Sequence, residues 1–176
     1  MPWVQSQFFI STFGPLRGSS MEPTIPEGSK GIADRFTYRW KDFVVGDIII
    51  FTPPNNDYSN SENTACKRII AVGGETLQVR DGDIYVDGQE RNLSIRAHRD
   101  AYPGSSPPID FISRDNPYLT YGVDEPYKVP GNQYFVLGDN SRYSIDSRCY
   151  GAIPRENILG RVIKIYWPPR RIGIVR

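Results

Sequence analysis

Every apolar run in this chain is short and ends in a turn. Ile48-Ile49-Ile50-Phe51 follows the turn signal Val44-Val45-Gly46-Asp47 and stops before Pro53. A continuous, mostly β-branched run of that length suits a buried strand and is too short for an ordinary helix. Thr64 to Val72 is the next strand, ended by Gly73-Gly74. Leu77 to Arg80 and Asp83 to Val86 alternate apolar and polar residues, and Asp81-Gly82 between them is a hairpin signal. Lys30 to Phe36, Gln133 to Leu137 and Gly160 to Tyr166 read the same way, and Phe8 to Phe13 gives an aromatic-rich extended start. Pro154 to Asn157 can form one helical turn. The stretches 53–63 and 92–130 lose all periodicity and are rich in Pro, Asn, Gly, Ser and Asp, so the first is an exposed loop and the second an irregular insertion. The fold class is all-β, a barrel or sandwich carrying that insertion as a lobe.

The totals exclude several classes. With 176 residues the chain suits one domain with an inserted lobe, and a net charge of +1 makes no case for nucleic acid. Two cysteines, Cys66 and Cys149, supply neither a disulfide framework nor a zinc site. The single histidine, His98, rules out multi-histidine metal centres and sits in the irregular insertion, away from every motif. No segment is long and apolar enough to span a bilayer. Met1 to Leu16 carries no charged side chain and lacks the basic start of a cleavable signal. It reads equally as the remnant of a longer segment, as a membrane-facing lead or as a strand-forming terminus.

Three places could carry chemistry. The segment Gly18-Ser19-Ser20-Met21-Glu22-Pro23-Thr24-Ile25-Pro26-Glu27-Gly28 is stiffened by two prolines, which disfavour helix at Glu22 and Ile25, and can present the Ser20 hydroxyl in a fixed direction. Lys67 lies on a strand with Ala65, Ile69 and Ala71 on its own face. An amine on an apolar face loses hydration, its pKa falls, and it can then take a proton from a serine hydroxyl. Equally, it can be a lysine whose ammonium reaches water past its stem. Ser144, Asp146 and Arg148 share a face if their stretch is extended. Asp146 could then pair with Arg148 or Arg68, and Ser144 could aim the lysine amine; the plain alternative is a solvated polar turn, as it is for Asp139-Asn140.

Taken together, Ser20-Met21-x-Pro23-Thr24, Gly46-Asp47-Ile48-Ile49-Ile50-Phe51, Lys67-Arg68-Ile69-Ile70-Ala71, Gly138-Asp139-Asn140 with Ser144-x-Asp146-Ser147-Arg148, and Gly151-x-Ile153-Pro154 resemble the type I signal peptidases in kind and order. The short insertion looks more like a cyanobacterial, plastid or Gram-positive member. The resemblance implies a signal-peptidase-like β-barrel or coiled β-sheet, with 18–78 and 131–176 as the catalytic core, 79–130 as an inserted cap lobe and 1–17 as a membrane-proximal lead. It implies a Ser-Lys dyad protease without metal or cofactor: Ser20 as nucleophile, Lys67 as general base, Ser144 orienting Lys67, and Asp146, Arg148 and Arg68 in support. The Ser20 N–H would hold the oxyanion with a second donor. Some members carry a serine two residues before the nucleophile; this chain has Gly18 there, which leaves a neighbouring amide or Ser19 as the second donor.

Implied substrates are the signal peptides of exported preproteins, added as an extended strand and cut after a small residue, with Leu16, Met21 and Cys66 near shallow pockets. Implied location is the extracytoplasmic, periplasmic or thylakoid-lumenal, face of a membrane. Family members carry an N-terminal transmembrane anchor that this chain lacks, so a soluble piece without its anchor is expected. The resemblance also brings the lysine strand near the loop before Cys149, so Cys66 and Cys149 could pair, although two free thiols are the default. Two other readings compete: a Ser-Lys self-cleaving repressor-type protease, which would normally bring a DNA-binding helical domain, and a non-catalytic β-domain that binds extended peptides or a membrane surface.

Overall fold

The computed structural model describes residues 10–54, 64–80, 82–93, 121–122, 125–140 and 143–175. Most of the polar loop at 53–63, most of the irregular insertion, His98, Asp81 of the hairpin turn and the first nine residues lie outside the described residues.

In chain order the strands are β1 (Ile10–Phe13), β2 (Lys30–Asp34), β3 (Ile48–Phe51), β4 (Ala65–Val72), β5 (Thr76–Arg80), β6 (Asp83–Val86), β7 (Gln89–Glu90), β8 (Tyr127–Lys128), β9 (Gln133–Leu137), β10 (Ile153–Pro154), β11 (Ile158–Trp167) and β12 (Gly173–Ile174). One four-residue helix, α1 (Ser147–Tyr150), stands between β9 and β10, and the turn expected after Pro154 is a 3-10 turn at Arg155–Asn157. The larger sheet runs β1-β2-β11-β3-β4-β9-β10 with β12 beside β11, and curls into an open half-barrel. The smaller runs β7-β6-β5-β8. Each of these pairings is antiparallel. The fold is therefore all-β.

The isoleucine run is buried along its whole length because β3 lies between β11 and β4. The hairpin β5–β6 alternates as its sequence requires. It buries Leu77, Val79, Ile84 and Val86 against Ile70 and Ala71 of β4 and Phe135 and Leu137 of β9. β4 and β9 thus serve two cores, one toward the small sheet and one with Ile49, Phe51, Ile69 and Val136.

Strict alternation along β4 stops at Ile70. The register against β9 slips between Ile69 and Ala71, the mark of a bulge. Ala65 and Ile69 keep company, as expected for the face of Lys67, but Ala71 moves to the small-sheet core beside Ile70. The expectation that Ala71 shares the lysine's face is corrected by that extra residue.

The cysteines do not pair. Both are buried free thiols. Cys66 packs with Met21, Ile48 and Ile50, and Cys149 with Ile49, Phe51 and Tyr150, in separate cores. Among the described residues no helix is long and apolar enough to cross a membrane.

Candidate active site

The serine loop joins β1 to β2 and is closed at its neck by two backbone bonds. Leu16 N–H donates to Ser29 O at 2.9 Å, and Gly28 N–H donates to Leu16 O at 2.8 Å. Inside it, Glu22 N–H turns back to Ser19 O at 3.0 Å and Ile25 N–H to Met21 O at 2.8 Å. Met21 and Ile25 are buried in the core formed with Phe13, Ile48, Ile50 and Cys66. Each such side chain contributes about 1.5–3 kcal/mol of burial, against about 1 kcal/mol for a turn hydrogen bond, so packing anchors the loop more than its turns do. Ser20, next to the Met21 anchor, is held in place by it.

Lys67 reaches Ser20 from β4. Its Nζ lies 2.7 Å from Ser20 Oγ and donates to Cys66 O at 3.1 Å. The residue is 6% exposed. Burial holds the amine below its ordinary pKa, against the pull of the Asp146 carboxylate toward the ammonium. The water-reaching alternative for Lys67 does not describe this side chain.

Two buried ion pairs flank the lysine. Arg68 grips Asp139 through Nε to Oδ1 at 2.8 Å and Nη2 to Oδ2 at 2.7 Å, and donates Nη1 to Gly46 O at 2.8 Å. Arg148 grips Asp146 through Nε to Oδ1 and Nη2 to Oδ2, both at 2.8 Å. Of the two partners open to Asp146, the structure uses Arg148. Burial alone would raise the Asp146 pKa, but the Arg148 guanidinium and a bond from Gly138 N–H at 3.1 Å outweigh it, and the carboxylate is held below its usual range.

The stretch carrying Ser144, Asp146 and Arg148 is not extended throughout. Asp146 is the N-cap of α1 and accepts the Arg148 N–H at 3.3 Å, which folds Arg148 back over its own cap. The pair meets through a helical turn and not through alternation on one strand face. A short polar side chain that can bond the orphan N–H groups of a helix start favours that turn. Ser147 Oγ, accepting Val136 N–H at 2.9 Å, ties α1 to β9.

Ser144 is fully buried, and among the described residues no well-formed hydrogen bond reaches its Oγ. Gly138 wedges against it: a Cβ there would collide with Ser144 Oγ and lie 2.6 Å from both Ser144 Cβ and Ser20 O. Only glycine lets β9 approach the serine loop so closely. Gly18 has φ +79°, a conformation that strains any larger residue, and its N–H donates to Glu27 Oε1 at 3.1 Å. Of the three residues expected near the pockets, Met21 and Cys66 are buried in one core and Leu16 is half-buried against it.

Gly138, Asp139 and Asn140, which carry no site role in the sequence beyond their place in the resemblance, also build the site. Asp139 is the partner of Arg68, and Asn140 donates its main-chain N–H to Ser20 O at 2.9 Å and its Nδ2 to Ser19 O at 3.2 Å. Their signal was a Gly-Asp-Asn run directly after a buried strand, which by itself reads as a turn. Ser141 and Arg142, next in that run, lie outside the described residues.

Comparison with known proteins gives one family. The family model described as "Signal peptidase, peptidase S26" matches residues 3–167. "Probable signal peptidase I-2" of Synechocystis is 33% identical over 168 residues, covering 95% of this chain and 68% of that protein. "Signal peptidase I V" of Bacillus subtilis is 34% identical over 146 residues, 82% of this chain and 79% of that protein. "Thylakoidal processing peptidase 1, chloroplastic" of Arabidopsis thaliana is 34% identical over 166 residues, 90% of this chain and 42% of that protein.

Proposed function

The chain belongs to the signal peptidase family S26, and on that footing we propose that it is a serine endopeptidase that removes N-terminal signal peptides from preproteins, with Ser20 as nucleophile and Lys67 as general base. The observation that carries the dyad is the 2.7 Å contact between Ser20 Oγ and an amine whose pKa burial lowers.

In the neutral form of Lys67 the Ser20 hydroxyl donates to Nζ. As Oγ attacks the scissile carbonyl, its proton passes to Nζ and the carbonyl oxygen becomes an oxyanion facing the Ser20 N–H. Collapse breaks the C–N bond. The Lys67 ammonium returns its proton to the departing amine, which leaves as the new N-terminus of the mature protein. The signal peptide remains as an ester on Ser20. Water then adds to that ester, Lys67 takes a proton from it, and the second collapse returns the proton to Ser20 Oγ as the peptide acid leaves.

Arg68, Asp139, Asp146 and Arg148 support the dyad as two closed pairs; the Asp146 carboxylate still favours the lysine ammonium, and burial, helped by Arg148, outweighs that pull. Ser144 is buried beside the site against Gly138, and the lysine-orienting contact expected of it is not made here: Lys67 Nζ bonds Ser20 Oγ and Cys66 O. Leu16, half-buried, with Met21 and Cys66 buried behind it, forms the apolar wall beneath the shallow pockets for small side chains. Such substrates are cut where they emerge, so the work belongs at the extracytoplasmic face of a membrane, periplasmic or thylakoid-lumenal. The lead at 1–17, the core at 18–78 and 131–176 and the lobe at 79–130 divide the chain accordingly.

The test is cleavage of a fluorogenic Ala-x-Ala peptide in detergent or lipid. Wild type should cut after the second alanine, and folded Ser20→Ala and Lys67→Ala should not. A Lys67→Ala protein with the wild-type rate removes the dyad.

A further inference from the structure

Ser19 and Ser20 turn both of their carbonyl oxygens toward one residue. Asn140 bonds Ser20 O through its main chain at 2.9 Å and Ser19 O through Nδ2 at 3.2 Å, and Ser19 O also accepts the Glu22 N–H at 3.0 Å. The Ser19–Ser20 peptide is trans. In a trans peptide the C=O and the N–H of the same unit point in opposite directions. Fixing Ser19 O against Asn140 and Glu22 therefore fixes the Ser20 N–H on the other side, where among the described residues it meets no acceptor.

Asn140 is itself held. It follows Asp139, whose carboxylate grips Arg68, and Arg68 follows Lys67. The nucleophile, its carbonyl anchor, the ion pair and the base thus close a ring through the 2.7 Å contact of Lys67 with Ser20. Gly138 brings the strand end close enough for that ring to close.

We propose that Asn140 is a positioning residue that aims the Ser20 N–H at the oxyanion. The inference rests on the assignment of Ser20 as nucleophile. It also bears on Gly18: with no side-chain donor at that position, the direction of the Ser20 N–H matters more.

The experiment compares Asn140→Asp and Asn140→Ala with wild type and Ser20→Ala on the Ala-x-Ala peptide. Asn140→Asp keeps the size and the main-chain bond but turns a carboxylate oxygen toward Ser19 O. Alongside kcat and KM, affinity is measured for a peptide aldehyde of the same sequence, whose adduct with Ser20 carries the tetrahedral oxygen, and for an uncleavable peptide that does not. Both variants should lose roughly ten- to a hundredfold in kcat, with aldehyde affinity falling in step. KM and affinity for the uncleavable peptide should stay within about twofold, since the lost contact acts only in the transition state. In Asn140→Ala the pH midpoint set by Lys67 should not move.

A purely structural role would weaken both peptides together or shift that midpoint, and would overturn the inference. So would variants with wild-type kcat while Ser20→Ala is inactive. If Ser20→Ala cuts like wild type, the assignment of Ser20 falls first and this inference with it.

Discussion

Lys67 Nζ stands 2.7 Å from Ser20 Oγ at the end of a side chain that is almost fully enclosed. The enclosure sets the pH dependence. Burial lowers the amine's pKa from the ordinary 10.5, so the free base, the form that can accept the serine proton, is present at lower pH than an exposed lysine would allow. The rate should climb as pH rises, with its midpoint below 10.5. A pH profile of kcat/KM checks this, and a rate that is flat from acid to alkaline pH contradicts it. Lys67→Arg keeps a cation that cannot deprotonate, so its loss should reach at least the roughly 10²–10⁴-fold contribution of a general base.

Asp146 is buried with Arg148 as its charge partner. Asp146→Ala leaves a guanidinium inside the protein without its carboxylate and should cost about 3–5 kcal/mol, read as a fall in the denaturation midpoint. The wild-type pair also shapes acid stability. The Asp146 pKa in the folded protein is below its ordinary 3.8, so its stabilisation is fully present above that value. It is lost as pH falls through the folded value, because the unfolded chain takes up the proton first. Thermal melts below about pH 4 should show a loss in wild type that Asp146→Asn reduces. Equal acid slopes in the two proteins would contradict the assignment.

Most strands were legible because each side chain on a strand faces one of two environments, and residues such as Ile48 to Phe51 tolerate only burial. The pairing of Lys67 with Ser20 was legible as chemistry, an amine on an apolar face and a hydroxyl in a stiff loop. What escaped depends on single backbone events. The bulge at Ile70 moved Ala71 to another core. The Asp146 cap turned Asp146 and Arg148 into the start of a helix and left Ser144 outside it. Asn140 acts mainly on carbonyl groups more than a hundred residues away, and no local pattern announces that.

Gly138→Ala tests the close approach of β9 to the serine loop. The added methyl meets Ser144 and the Ser20 carbonyl, two parts of the backbone and core that cannot swing away as a flexible side chain would. Overpacking of this kind costs about 1–3 kcal/mol in stability. Activity should suffer more, by roughly 10²-fold, because the displaced atoms include the nucleophile's own carbonyl. Parallel melting and turnover measurements separate the two. Full activity with full stability would mean the loop accommodates the methyl and is looser than its contacts suggest.

Cys66 precedes the general base and packs beside Met21, so a thiol reagent that reached it would block the site. Burial pushes its pKa up to about 12. At pH 8 only about one thiol in 10⁴ would then be the reactive thiolate, even before access is considered. The folded protein should keep its activity in a disulfide-exchange reagent at that pH and release negligible colour. Unfolded in denaturant without reductant, it should titrate both of its two cysteines, since neither is in a disulfide. Native labelling at Cys66 with loss of activity would show that the core between Met21 and β4 opens. One reactive thiol or none in denaturant would show that Cys66 and Cys149 are not both free.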